Sequence, residues 1–349
     1  MSKKTVAIIC GGRSSEHEIS CLSAGGVLAG LDRSLYDSVL IGITKVGNWV
    51  LLPNDYPLSI VNGVLPTVDE KATPLVADVH GFSVNGKSLT IDVVFPALHG
   101  PFGEDGTIQG FFEIADIAYV GSGVMASAAA MDKSFSKTIF AAAGMKTASG
   151  IVVTSDDWKT KISDISYPVF VKPARGGSSR GTHKVKSSAG LEAAIKDALT
   201  FDRKVMIESA VAGREIECAV LESNGSVQAS VAGEIIIDSR FEFYDFEAKY
   251  LDNATTVKVP ADIPAAASEQ IRTSAVAAFK ALGCSGLARV DFFYTEKGEI
   301  VINEINTMPG FTGTSMYPKL MAASGVAYSP LITALITTAL SRTNGTLGN

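Results

Sequence analysis

The stretch "ARVDFFYTEKGEIVINEIN", residues 288–306, restricts the possible folds of this chain more than any other. Two runs rich in β-branched and aromatic residues flank "EKGE", and Gly298 stands where a hairpin turn needs a positive φ. A turn centred between Lys297 and Gly298 makes an antiparallel ribbon in which Asp291 faces Glu304, with Cβ atoms about 5 Å apart. Arg289 and Asn306 then lie one step further along the same face, because strand side chains repeat every second residue. Like charges directly opposite each other are destabilising unless something neutralises them. Two carboxylates and an amide are oxygen ligands that suit Mg²⁺ held together with substrate phosphates. The alternative is a solvated ribbon face that merely carries charge. The segment that follows, "NTMPGFTGTS", is rich in backbone donors where a reacting oxyanion could sit, and this favours the metal site. The reading depends on register, since a slip of one residue moves every side chain to the other face.

Upstream the rhythm is different. Residues 5–10 read as a buried strand, 11–15 as a tight Gly/Ser turn, 16–29 as a helix and 38–44 as a strand, the βαβ order of an open parallel sheet. Another buried strand, 91–97, runs into the loop "HGPFGEDG", followed by a helix "TIQGFFEIA" and a short strand "AYVG". Ala-rich helices over 122–144 carry a first boundary. Beyond it, "GIVVTS", "YPVFVKPA" and "KVMIESA" read as strands around helical segments near 156–165 and 189–200. Strands dominate from 215 to 306, interrupted by the helical "VPADIPAAASEQIRTSAVAAFKALG", and a final helix ends in the polar tail "SRTNGTLGN". A chain of 349 residues exceeds one core. The expected division is 1–125, 126–214 and 215–349, an α/β protein with no internal repeat.

Apolar residues make up 46% and charged residues 19%, a globular balance. A net charge of −6 argues against a non-specific partner among nucleic acids or anionic membranes, though local lysines could still hold an anionic substrate. Four scattered cysteines read as buried thiols of a reducing compartment, and four dispersed histidines make no His/Cys metal site. "MSKKTVAIICGG" is too short in its apolar run for a signal peptide, and no run spans a bilayer, so a cytoplasmic protein is expected.

Two phosphate-loop look-alikes need separate judgement. "GFSVNGKS", residues 81–88, matches GxxxxGK[ST] in full. That motif works only between a strand and a helix, whereas "LTIDVVF" follows here and Asn85-Gly86 is a strong hairpin signal. "CGGRSSE" follows a strand and precedes a helix but lacks GxGxxG spacing. By itself it reads as a βα turn.

"FEFYDFEAKYLDN", residues 241–253, has five aromatic side chains among four carboxylates and one lysine. It is too polar for a core and too aromatic for a linker. Taken in order with "GGRSSEHEIS", "LHGPFGEDGTIQG", "GSGVMASAAAMDK", "FVKPARGGSSRG" and "RVDFF…NEINTMPGFTGTS", its "EAKY" resembles the D-alanine–D-alanine ligases of the ATP-grasp superfamily, over about residues 5–325. The resemblance implies an N-terminal parallel-sheet domain followed by a two-part ATP-grasp fold, which holds ATP between two antiparallel sheets. Lys133 and Lys172 would contact the ATP phosphates. Glu208 and Val211 would read the adenine, and Glu215 would take the ribose hydroxyls. Residues 176–181, with Ser178 and Ser179, would form a flexible loop over the phosphates. Asp291, Glu304 and Asn306 match the ligands of two Mg²⁺ ions, or of Mn²⁺ in their place.

The same resemblance implies two-step chemistry, with D-alanyl phosphate formed first and then attacked by a second D-alanine to give the dipeptide for peptidoglycan precursors. Arg289 and the backbone N–H of Gly310 would face the oxyanion. Glu16 would anchor the first ammonium group, His99 would approach the first D-alanine, and Ser315 and Met316 would hold the second, where Leu is more usual than Met. The aromatic stretch would close over the filled site, excluding water. In it Lys249 would reach the transferred phosphate, and Tyr250 would complete a Glu16–Ser178–Tyr250 set. Phe246 stands where Tyr is common. Related ligases that accept D-lactate carry Phe in place of Tyr250. A D-lactate or D-serine ligase, a phosphate-loop NTPase at residues 81–88 and a non-catalytic nucleotide-binding protein are the competing readings. The family resemblance also implies a homodimer.

Overall fold

The structure is a computed structural model and describes residues 2–237 and 255–342. The N-terminal elements are β1 (Lys4–Gly11), α1 (His17–Gly30), β2 (Tyr36–Ile43), β3 (Trp49–Leu52), β4 (Thr73–Pro74), β5 (Val76–Asp78), β6 (Gly81–Val84), β7 (Lys87–Ser88), β8 (Val93–Pro96) and α2 (Thr107–Ile114). Strands order as β4-β3-β2-β1-β8, with β1 parallel to β2 and β8 and with β3 and β4 as an antiparallel edge. The expected strand at "AYVG" is reduced to one bridge between Val94 and Tyr119. Residues 81–88 form an antiparallel hairpin, with Asn85 (φ 51) and Gly86 (φ 73) in its turn. This pattern of two positive φ values is that of a type I′ turn. No helix leaves it, so the phosphate-loop reading is excluded.

The middle of the chain contains α3 (Val124–Met131), α4 (Lys133–Ala142), β9 (Gly150–Thr154), α5 (Trp158–Lys161), β10 (Val169–Pro173), β11 (His183–Val185), α6 (Ser188–Phe201) and β12 (Lys204–Ser209). Its sheet is antiparallel, ordered β11-β10-β12-β9. The helix expected near 156–165 is a single turn, Trp158–Lys161, that ends before Ser163 and Asp164, residue types that favour turns over helix interiors. Asp132 separates α3 from α4 and caps the latter, accepting from the N–H groups of Ser134 and Phe135.

The last third consists of β13 (Gly213–Ser223), β14 (Ser226–Ile237), β15 (Thr255–Lys258), α7 (Ala265–Ala281), β16 (Leu287–Thr295), β17 (Ile300–Asn306), α8 (Met316–Ala323) and α9 (Tyr328–Ser341). Its five strands are antiparallel in the order β15-β14-β13-β16-β17. The single final helix expected is two, separated where Gly325 takes φ 90. Ile271, Ala275 and Ala278 of α7 and Phe140 of α4 pack on one face of this sheet, against Val290, Ile302 and Ile305. A second core joins the first sheet, through Ile8 and Phe95, to Phe311 and to Leu331 and Leu335 of α9. Gly26 in α1 permits this closeness: a Cβ there would lie 2.7 Å from the Phe311 carbonyl oxygen. Among the described residues no single helix is long and apolar enough to cross a membrane.

The β16–β17 hairpin carries a correction. Asp291 does face Glu304, and Arg289 faces Asn306, but the turn alone does not produce this register. Thr295 closes on Glu299, and from there Tyr294 pairs with Ile300 and Phe292 with Ile302, one residue out of step with the expected centre. An irregularity between Asp291 and Phe292 then makes Asn303 the extra residue. Ile302 and Ile305 are three apart and would point to opposite faces of a regular strand. The bulge brings both into the core and leaves Asn303 and Glu304 together on the cleft side.

Candidate active site between two antiparallel sheets

The two antiparallel sheets and the C-terminal end of the parallel one enclose a cleft of about 1280 Å³. Every candidate residue from the sequence that falls within the described residues lines it. Lys249 and Tyr250, with the whole stretch 241–253, lie outside the described residues.

On the cleft face of β16, Arg289 donates from Nε and Nη2 to the two oxygens of Asp291, both at 2.8 Å, and its Nε lies 3.0 Å from Glu217. Asn306 Nδ2 donates to Asp291 at 3.0 Å. Burial works against the charge of Arg289, but Asp291 and Glu217 more than offset it and push its pKa well up. Across the ribbon, Glu304 lies 3.1 Å from Lys133 Nζ, which also donates to the Gly176 carbonyl at 2.7 Å. The carboxylate pair therefore sits between two cations. Among the described residues no three of His, Cys, Asp and Glu converge as a metal set. The donors available to a cation are two facing carboxylates and one amide, a set that fits a hard divalent ion sharing its shell with phosphate oxygens.

Deeper in the central unit, Glu208 of β12 carries two ammonium groups. Lys137 Nζ is 2.6 Å from one carboxylate oxygen and Lys172 Nζ is 2.6 Å from the other. Burial would raise the Glu208 carboxyl, but Lys172 and Lys137 together hold it down at about 2. Val211 and Glu215 follow on the same wall, in the loop after β12 and early in β13.

At the other end, Ser178 donates a short hydrogen bond to Glu16. Ser178 (φ 54) and Ser179 (φ 55) both take left-handed backbone, uncommon outside glycine and here maintained at the point where the loop meets α1. Ser23 accepts from the Phe311 N–H at 3.2 Å and lies 2.8 Å from His99 Nε2. The Met308 carbonyl can only accept, so His99 Nδ1–H donates to it at 3.0 Å, and in a neutral ring Nε2 then accepts from the Ser23 hydroxyl. Burial lowers the His99 pKa despite the pull of Glu16, which agrees with a neutral ring. The segment 308–311, with Gly310 inside it, is thus tied to α1 and to the 99–104 loop. Beyond it, Ser315 accepts from the Thr312 N–H at 3.0 Å and stands at the N-cap of α8, directly before Met316.

Three lining residues of this cleft were not singled out from the sequence, Glu104, Glu217 and Ser23, and neither was Lys137, which is buried behind the wall against Glu208. Lys137 had a usable signal, since it lies four residues after Lys133 and so on the same helix face. Glu104 accepts from the Gly100 N–H at 2.6 Å, and burial, then Glu16, raise its pKa to about 8.

Comparison with known proteins agrees with this geometry. The family model "D-ala D-ala ligase N-terminus" matches residues 5–122 and "D-ala D-ala ligase C-terminus" matches residues 139–337. A D-alanine–D-alanine ligase of Arthrobacter sp. (strain FB24) is 49% identical over 366 residues, covering 99% of this chain and 96% of the relative. That of Mycobacterium leprae (strain TN) is 49% identical over 361 residues, covering 97% and 94%. Among solved structures, the Coxiella burnetii D-alanine–D-alanine ligase has a TM-score of 0.84 at 34% identity, covering 98% of this chain and 95% of that one. The VanG D-Ala:D-Ser ligase of Enterococcus faecalis has a TM-score of 0.86 at 37% identity, covering 97% and 100%. With an ATP-grasp cleft between two antiparallel sheets and matches along nearly its whole length, the chain belongs to the D-alanine–D-alanine ligase family.

Proposed function

We propose that the protein joins two D-alanines into D-alanyl-D-alanine at the expense of ATP, through a D-alanyl phosphate. The observation that carries this reading is the pairing, within one cleft, of a buried Glu16–Ser178 contact with the Lys133–Glu304 and Arg289–Asp291 pairs. The first contact suits an amino acid's ammonium group and the others suit transferring phosphate.

In this reading Glu16 holds the ammonium of the first D-alanine. An oxygen of that substrate's carboxylate attacks the γ-phosphorus, and the bond to the ADP oxygen breaks. Lys133 and Lys172 neutralise the phosphate oxygens as charge spreads over them, with Lys249 assigned to the transferred group. The amine of the second D-alanine, once deprotonated, attacks the acyl carbon. The tetrahedral oxyanion faces the Arg289 guanidinium and the Gly310 N–H, fixed donors that need little reorganisation. Collapse expels phosphate, which keeps the oxygen that began in the carboxylate. Asp291, Glu304 and Asn306 would hold Mg²⁺, which supplies charge neutralisation at the phosphates. Glu208, Val211 and Glu215 take the nucleoside, Ser179 the phosphates, and Ser315 and Met316 the second substrate. His99, neutral and held by Ser23 and Met308, shapes the first subsite. Tyr250 is assigned to the Glu16–Ser178 set. The same reading divides the chain at 1–125, 126–214 and 215–349, supported by the two antiparallel sheets falling on either side of residue 212. It extends to a cytoplasmic homodimer serving peptidoglycan precursor synthesis.

D-serine as second nucleophile is the other reading worth carrying, because of the likeness to VanG. Phosphate release measured with D-alanine alone, with D-alanine plus D-serine or D-lactate, and with L-alanine separates these. The expected result is Mg²⁺-dependent release with D-alanine alone, one ADP per dipeptide. Equal turnover of L-alanine, or AMP and pyrophosphate as products, would overturn the assignment.

A further inference from the structure

Lys137 is a buried cation behind the cleft wall, in contact with Glu208, for which the mechanism above has no task. It shares the Glu208 carboxylate with Lys172, one ammonium 2.6 Å from each oxygen, and the side chains of Lys137, Lys172 and Glu208 are 7%, 12% and 5% exposed. The one carboxylate in direct contact thus faces two ammonium groups out of water, with Glu304 acting on Lys137 from further off. Burying such a set carries a desolvation cost that the pairing need not repay. Burial, with repulsion from Lys172, brings the Lys137 ammonium down to about 8 against the pull of Glu208. The arrangement makes sense when a nucleotide arrives. Lys172 is assigned to the phosphates and Glu208 to the adenine, so Lys172 must turn away from the carboxylate that holds it. Were it the sole partner, its departure would strand a buried carboxylate, which is strongly unfavourable. Lys137 comes from a different element, α4, one turn after Lys133.

We propose that Lys137 is a positioning residue for the nucleotide: the resident counter-ion of Glu208, which frees Lys172 to move to the ATP phosphates while Glu208 stays charged and in place. The inference rests on the assignment of Lys172 and Glu208 given above and names a residue that assignment does not use.

The test is equilibrium binding of ATP with Mg²⁺, in the full chain and without D-alanine, for wild type, Lys137→Met, Glu208→Gln and the double variant. Lys137→Met should weaken ATP binding on the order of ten- to a hundredfold, the range of a charge-assisted contact. Adenosine, which gives Lys172 nothing to move to, should lose less than about threefold. In the Glu208→Gln background, Lys137→Met should likewise cost less than about threefold. Unchanged ATP affinity in Lys137→Met would overturn the proposal. So would an equal loss in the Glu208→Gln background, which would make Lys137 a direct phosphate contact. An equal loss for adenosine would mean a collapsed pocket and would overturn it too. Lys172 still pairs with Glu208 in the ligand-free variant, so Lys137→Met should melt within a few degrees of wild type. If it does not fold, Lys137→Gln is read against the same outcomes. Because no D-alanine is present, failure of the ligase reading would show as absent D-alanine-dependent turnover and leave this result standing.

Discussion

Replacing Arg289 by Met removes the guanidinium from between Asp291 and Glu217 while keeping an unbranched apolar stem. Arg289, Asp291 and Glu217 are 20%, 15% and 8% exposed, so screening by solvent is limited. The variant loses two 2.8 Å bonds to Asp291 and the 3.0 Å contact with Glu217. Taking one partner out of such a pair costs about 3–5 kcal/mol. At roughly 2 cal/mol/K of unfolding entropy per residue, that is a fall in melting temperature of about 4–7 °C for 349 residues. The excess negative charge left on the ribbon face should bind Mg²⁺ more avidly, so Mg²⁺ should raise the variant's melting temperature by more than it raises that of wild type. Turnover should not recover with it, because an oxyanion donor is gone, and should stay about a hundred- to a thousandfold down. Thermal melts with and without Mg²⁺, alongside steady-state kinetics, read both effects. An unchanged melting temperature, or activity restored by Mg²⁺, would refute the role assigned to Arg289.

Three further outcomes are expected. Glu104 keeps its proton to about pH 8 in the folded protein but only to about 4.5 when unfolded. Folding therefore takes up a proton between those values, and stability falls as pH rises through that window, by up to about 1.4 kcal/mol per pH unit. Glu104→Gln should flatten the pH dependence of the melting temperature there, and an unaltered slope would contradict the assignment. Lys87→Met, in the turn hairpin, should leave ATP binding unchanged; a large loss would revive the phosphate-loop reading. Tyr250→Phe should raise the ratio of ester to peptide product when D-lactate and D-alanine compete, most visibly at mildly acidic pH where the amine is protonated. An unchanged ratio would limit Tyr250 to packing.

Much of the site could be read from local patterns because its parts lie on elements with strong ones. The β16–β17 ribbon announces itself by alternation and by Gly298, and the pairing of Asp291 with Glu304 follows. The bulge at Asn303 did not follow, since its cause is tertiary: the core at Ile302 and Ile305 requires an inward-facing pair three residues apart. Lys137 shares a helix face with Lys133, but what that face meets is likewise tertiary. An interior helix lysine ordinarily points to water, and only the packing of α4 against the cleft turns it towards Glu208. The three-residue strand β11 is too short and too charged for its sequence to mark it. Ser23 and Glu104 take their significance from partners far along the chain, Ser23 from Phe311 and Glu104 from Glu16, and no local pattern encodes those.

The central claim is that a D-alanine carboxylate oxygen attacks the γ-phosphate and later leaves with it. The measurement that tests this most directly uses D-alanine labelled with heavy oxygen in its carboxylate, turned over with unlabelled ATP, Mg²⁺ and the full chain. Mass analysis of the released phosphate should find one labelled oxygen per phosphate and one fewer in the first residue of the dipeptide. Phosphate that forms in step with dipeptide but carries no label would mean that no acyl phosphate lies on the path.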